Sequence, residues 1–183
     1  MLLLIQTVNI FSQVNLTPGV TVIIQAEDVT LFQAETETEH SGYTGSSYVN
    51  FENEAGGYIE WSVNVFAAAD ADCIFIFANG GSTRPVEMRV NGNVAISSYD
   101  FPATDGWTSW SSESMILGLL SGNNTIRMTG IGDEGGPNID RLDITVSGGE
   151  TANPGDANED GAINIVDALV IAQYYVGFKP ESF

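Results

Sequence analysis

Residues 58–92 read YIEWSVNVFAAADADCIFIFANGGSTRPVEMRVNG, and this stretch decides the fold. Along 58–66 apolar and polar residues alternate with the period of two that places successive side chains on opposite faces of a strand. Trp61 falls on the apolar side of that alternation and is assigned to the core. Two further short runs follow at 73–78 and 86–90. The separators, Asn79-Gly80-Gly81-Ser82 and Asn91-Gly92-Asn93, are turn chemistry rather than helix interior. Outward from this stretch the same grammar recurs at 22–27, 114–120, 125–129 and 139–146, with Ser121-Gly122-Asn123-Asn124 as another turn. No amphipathic helix of useful length precedes residue 160. Short strands at this spacing predict an all-β fold, an antiparallel jelly-roll β-sandwich.

The 183 residues include 24 Asp or Glu against 5 Lys or Arg, a formal net charge of −19. So few cations cannot neutralise a phosphate backbone, which argues against nucleic acid and against an anionic membrane surface. Divalent cations are the natural counter-ligands instead. No stretch reaches the roughly 18 apolar residues needed to span a bilayer. The one cysteine, Cys73, lies in an apolar alternating run and reads as a buried structural thiol, which excludes an internal disulfide framework. The one histidine, His40, sits in a polar stretch with no nucleophile motif around it and reads as a solvated loop residue.

Composition divides the chain into four parts. Residues 1–19 open with MLLLIQTVNIFSQVNL, which lacks a basic n-region and a small-residue cleavage site and reads as an N-terminal strand or linker. Residues 20–147 form the sandwich and 148–155 a linker. Residues 156–183 are a calcium loop followed by an apolar helical run over 168–176, with Gly177 as its cap.

That loop is read from spacing. Asp156, Asn158 and Asp160 stand at positions 1, 3 and 5 of a twelve-residue segment, and Gly161 stands at the turn position 6. The Ala162 carbonyl follows at 7, Ile163 is the apolar anchor at 8, Asn164 stands at 9, and Asp167 closes the loop at 12. A hard cation needs six to eight oxygens, and alternating oxygen side chains around a glycine bend deliver them from one short segment. Residues 154–178 resemble the first calcium repeat of a dockerin. In that family two such repeats pair and bind a cohesin on a scaffold protein, so the resemblance implies a cohesin as partner. The apolar residues Ile165, Val166, Leu169, Val170 and Ala172 fall on most sides of the helix, which implies a packing partner.

In the sandwich, Gln25 and Glu27 share one side of an expected strand, so their oxygens can converge on one ion. An ordered series extends along residues 22–146. It runs through Gln25-Ala26-Glu27, Ser46-Ser47-Tyr48-Val49, Gly57-Tyr58-Ile59-Glu60-Trp61 and Ala78-Asn79-Gly80 with Arg84-Pro85. It continues through Val90-Asn91-Gly92, Gly106-Trp107 with Trp110, Gly122-Asn123-Asn124-Thr125-Ile126 and Pro137-Asn138-Ile139-Asp140. This series is similar to family 35 carbohydrate-binding modules and, more loosely, to their family 6 relatives. The resemblance implies a structural calcium held by Gln25, Glu27 and Asp140, with Asp143 as runner-up for the last ligand. It also implies a sugar site drawing on Tyr48, Arg84, Trp110 and Asn138. Those types suit sugars: an aromatic ring covers the C–H face, while Asn and Arg form directional bonds to hydroxyls or a carboxylate. Trp107 reads equally as ligand stacker or packing residue.

The expectation is therefore a non-catalytic, extracellular, secreted or surface-associated module. It would bind plant cell-wall or uronic-acid-containing polysaccharide and attach to a scaffold through a dockerin. A glycoside hydrolase would need paired carboxylates, and the chain is short for a catalytic domain with a cleft. The other reading is a structural or adhesive protein assembling through its N-terminal strand and C-terminal helix.

Overall fold

The structure is a computed structural model and describes residues 13–147, 157 and 163–175. The chain divides into two compact units, Met1–Gly149 and Glu150–Phe183.

The first unit is a β-sandwich of two six-stranded sheets. Its strands are β1 (Val14–Leu16), β2 (Thr21–Gln25), β3 (Thr30–Phe32), β4 (Ala34–Glu37), β5 (Tyr48–Phe51), β6 (Tyr58–Val65), β7 (Ala69–Ala78), β8 (Arg84–Val90), β9 (Asn93–Phe101), β10 (Ser111–Leu119), β11 (Gly122–Gly130) and β12 (Asn138–Val146). One sheet runs β1-β6-β11-β8-β9 with β3 also beside β6, and the other runs β10-β7-β12-β5-β4 with β2 also beside β12. All pairings are antiparallel except β1 with β6.

The alternation read from 58–92 is what the sheets bury. Ile59, Trp61, Val63 and Val65 of β6 face inward and meet Ala71, Cys73, Phe75 and Phe77 of β7 across the core. Trp61 and Phe75 pack edge to face at 5.5 Å, and Phe77 and Phe101 at 4.9 Å, the geometry that ring quadrupoles favour. Cys73 is fully buried, and burial pushes its thiol up to about 12. Asn91 and Gly92, at φ 52° and 77°, form the two-residue turn that joins β8 to β9, a left-handed pair that Asn-Gly adopts readily.

Three expectations change. The strand expected over 22–27 ends at Gln25, and Ala26–Asp28 is a 3₁₀ turn, so Gln25 and Glu27 do not share a strand face. The sandwich also takes in Val14–Leu16, which pairs within the chain on β6. Finally, β9 is a full strand where no strand was read: it is exposed along most of its length, so it carries no apolar alternation.

In the second unit, α1 (Ile165–Tyr175) begins three residues earlier than expected. Asn164 caps it: its Oδ1 accepts the Val166 N–H at 2.8 Å, and the Asp167 carboxylate reaches back so that its Oδ2 accepts the Asn164 N–H at 2.7 Å. Ile165, Val166, Leu169 and Ile171 are exposed. Asp156, Asn158, Asp160 and Ala162, with the linker and the expected Gly177 cap, lie outside the described residues. Among the described residues no helix is long and apolar enough to cross a membrane.

Candidate functional site

The register and the loops bring the residues expected to hold sugar toward one end of the sandwich. Ser111 and Ile139 both pair with Phe77, and Ile139 also pairs with Val49, so these residues form one row across β10, β7, β12 and β5. One step further toward the loops come Trp110, Ala78 and Asn138, while Tyr48 lies on the other side of Val49 and meets Trp110 through its ring. On the facing sheet, Arg84 opens β8 opposite Phe101, the last residue of β9.

The aromatic residues of this end form a connected cluster. Trp107 and Trp110 come from the loop after β9, and His40 and Tyr43 from the loop between β4 and β5. His40 stacks nearly parallel to Trp107 and to Tyr48, each at 6.0 Å. Trp110 meets Tyr48 edge-on at 5.6 Å and Tyr43 at 6.4 Å. The indoles are seated on glycines: a β-carbon on Gly80 would stand 2.6 Å from Trp107 Cδ1, and one on Gly42 would stand 2.8 Å from Trp110 Cδ1. Trp110 Nε1 donates to the Ser41 carbonyl at 3.0 Å, which fixes the ring's rotation. Beside it lies a depression of about 310 Å³ lined by Pro102, Thr104, Asp105, Ser109 and Trp110 among others.

Tyr48 is a correction. It is fully buried, and its hydroxyl donates to Glu37 Oε2 at 2.8 Å, so it backs the cluster instead of presenting a face to a sugar. Burial, reinforced by that bond to Glu37, raises its pKa well above the ordinary phenol value. Arg84 and Asn138 are also nearly buried. Arg84 lies 5.0 Å over Trp107, donates from Nη1 to the Gly136 carbonyl at 2.8 Å and stands 3.8 Å from Glu134. Burial lowers its pKa against the opposing pull of Glu134. Arg84 Nε and Asn138 Oδ1 are buried without a hydrogen-bond partner. Buried polar atoms in that condition are costly unless something binds them.

Gln25, Glu27 and Asp140 also come together, through the loop ahead of β5. Glu27 Oε1 accepts the Ser46 N–H at 2.8 Å, Asp140 Oδ1 accepts the Thr44 N–H at 2.7 Å, and the Gln25 amide bonds the Thr44 hydroxyl at 3.3 Å. Glu27 Oε2 is buried with no hydrogen-bond partner. An all-oxygen set of two carboxylates, an amide and a hydroxyl, with one carboxylate oxygen unsatisfied, fits a hard cation such as calcium. Asp143, the runner-up ligand, is engaged elsewhere: its Oδ1 accepts Arg141 Nε at 2.9 Å. Arg141 Nη1 also donates to Asp140 Oδ2 at 2.9 Å, so Asp140 would be shared between arginine and metal.

The sequence reading missed His40, Tyr43 and the loop residues Thr44 to Ser46. Nothing in the spacing of a polar loop signals ring stacking or backbone donation. The pair of glycines under the indoles becomes meaningful only once the loops meet.

The comparisons agree with this fold. The family 6 carbohydrate-binding-module model matches residues 25–146. A solved family 35 module from Clostridium thermocellum is 46% identical, with a TM-score of 0.67, over 69% of this chain and 98% of that one. One from Paenibacillus barcinonensis is 35% identical, with a TM-score of 0.65, over 69% and 99%. A family 35 module solved with a glucuronic-acid-containing disaccharide is 26% identical, with a TM-score of 0.63, over 69% and 94%. Among curated relatives, an exo-beta-D-glucosaminidase of Amycolatopsis orientalis is 38% identical over 69% of this chain, and the match spans only 12% of that enzyme. The chain therefore belongs to the carbohydrate-binding modules, its sandwich being a family 35 module that the family 6 model also matches.

Proposed function

We propose that this module is non-catalytic and holds plant cell-wall or uronic-acid-containing polysaccharide at the loop end of the sandwich, so directing an extracellular enzyme or assembly to its substrate. One observation carries the reading. A half-buried indole, Trp107, lies over Arg84, and Asn138 pairs with Ala78 two residues before the Gly80 seat of that ring; Arg84 and Asn138 each keep a buried polar atom without a partner. The rings suit the apolar face of a sugar, and the polar atoms suit its hydroxyls or carboxylate. The likeness to a module solved with a glucuronic-acid-containing disaccharide supports an acidic ligand.

In this reading calcium is bound at Gln25, Glu27 and Asp140. There it would neutralise two carboxylates and hold the loop ahead of β5, which also carries His40 and Tyr43. A second calcium is bound in the C-terminal loop by Asp156, Asn158, Asp160, Ala162, Asn164 and Asp167. That unit would serve as dockerin-type attachment to a cohesin-bearing scaffold, and the exposed apolar residues of α1 are the feature that supports it. The protein is then secreted or surface-associated.

Affinity electrophoresis through gels containing soluble xylans, pectins or neutral glucans tests the sugar reading. Retardation by at least one plant polysaccharide, with no release of reducing ends, is expected; unretarded migration in every gel would refute it. Co-elution with a cohesin in calcium tests the attachment.

A further inference from the structure

Asp140 and Arg141 are consecutive on β12, and consecutive side chains of a regular strand point to opposite faces. Here they meet: Arg141 Nη1 donates to Asp140 Oδ2 at 2.9 Å. The register gives the reason. Ile139 pairs with Phe77 and Arg141 with Ile76, so Asp140 is the extra residue of a β-bulge, an irregularity that re-aims a side chain. The Asp140 carboxylate is buried, whereas the Arg141 side chain is 21% exposed and lies directly across from Gln25.

Arg141 is held at two points. Its Nε donates to Asp143 Oδ1 at 2.9 Å, while Nη1 serves both Asp140 Oδ2 and, at 3.1 Å, the Thr44 hydroxyl. Those last two oxygens belong to the set that fits calcium, together with Gln25 and Glu27. Among the described residues no other cationic side chain is bonded to any of the four.

We infer that Arg141 is a built-in competitor for the calcium site of the sandwich: its Nη1 and the ion contend for the same oxygens of Asp140 and Thr44, and calcium displaces this nitrogen while Nε stays anchored on Asp143. This rests on the calcium reading above and concerns what sets the affinity of that site. A guanidinium cannot shed its proton to relieve the contest, and two cations drawn to one pair of oxygens repel each other. Glu27 Oε2, by contrast, has no hydrogen-bond partner in the protein, so the ion meets no rival there. Calcium thus has one uncontested carboxylate, Glu27, and one contested carboxylate, Asp140. A buried carboxylate is costly without a partner, so Arg141 ties the loop ahead of β5 to β12 whenever the ion does not. The consequence is weaker calcium binding, and a more stable calcium-free module, than the oxygen ligands alone would give.

The test is thermal unfolding of the full chain followed by tryptophan fluorescence, titrated with calcium chloride at fixed ionic strength and read against chelator. All three tryptophans, Trp61, Trp107 and Trp110, lie in the first unit, so the signal reports the sandwich and not the C-terminal loop. The calcium dependence of the midpoint gives the affinity. Arg141→Lys keeps the charge but lacks the planar fork that spans Asp143 and Asp140, and Arg141→Gln removes the charge. Both are expected to bind calcium at least about threefold more tightly than the parent chain, and to melt below it in chelator. Glu27→Gln should lose the calcium-induced shift. Equal calcium affinity in the parent chain and Arg141→Lys, or weaker binding in both Arg141 variants, overturns the competition while leaving the calcium site standing. A parent midpoint that calcium does not move, or that it moves as far in Glu27→Gln, overturns the calcium reading and this inference with it.

Discussion

The carboxylate of Glu27 occupies the space that a β-carbon on Gly45 would need. Gly45 also has φ +73°, a left-handed backbone that L side chains avoid. With no side chain at residue 45 the loop ahead of β5 closes over Gln25, Glu27 and Asp140 without displacing the Glu27 carboxylate and without left-handed strain. Gly45→Ala is therefore expected to lower stability by about 1–3 kcal/mol and to reduce the stabilisation proposed for calcium. Thermal unfolding with and without calcium checks this; an unchanged melting temperature in both conditions would contradict it.

The seats of the two indoles give a second expectation. Gly80→Ala would push a methyl group into Trp107, which touches both Arg84 and His40. Its effect should fall on ligand affinity, with a loss of about tenfold, the scale on which displacement of a buried aromatic anchor acts. Gly92→Ala is the comparison. No heavy atom stands near a β-carbon there, and the position lies on the β8–β9 turn, so only its own left-handed strain should register, as lost stability. Equal affinities for the two variants would count against the seating of Trp107.

Alkaline stability follows from Cys73 and Tyr99, with the raised Tyr48 acting in the same direction. Burial pushes the Cys73 thiol up to about 12 from its ordinary 9, and the bond to Glu113, then burial, pushes Tyr99 up to about 12 from 10. Both keep their protons in the folded chain at pH values where the unfolded chain has lost them. Stability is therefore full below about pH 9 and falls as pH rises toward 12. Urea midpoints across this range should decline, and Tyr99→Phe should flatten the decline between pH 10 and 12. An identical slope in the variant would contradict the assignment. Cys73 should also resist thiol reagents at pH 8 until the chain unfolds.

Much of the sandwich was legible because burial writes itself as alternation. The strands β6, β7, β8, β11 and β12 each put one face into the core, and their sequences show it. Strand β9 does not, and β3, β4 and β5 are too short to carry a period. The site was legible in its residues more than in their roles. Tyr48 was named as a sugar contact, yet it lies behind the cluster because β5 begins beneath the loop that carries His40 and Tyr43. Gln25 and Glu27 do converge, but through a 3₁₀ turn and the Thr44–Ser46 loop, Gln25 bonding Thr44 and Glu27 bonding Ser46, rather than along a strand. His40 was read as a solvated loop residue because its neighbours in sequence are polar, while its neighbours in space, Trp107 and Tyr48, are contributed by distant segments.

The central claim, an acidic-glycan site at the loop end supported by calcium, is tested most directly by a glycan array of plant cell-wall and uronic-acid-containing glycans. The full chain would be read once in calcium and once in chelator, with Trp110→Ala alongside. Binding to a subset of these glycans in calcium, weakened by chelator and by Trp110→Ala, is the predicted result. Indifference to every glycan, or binding untouched by both chelator and the substitution, would contradict it.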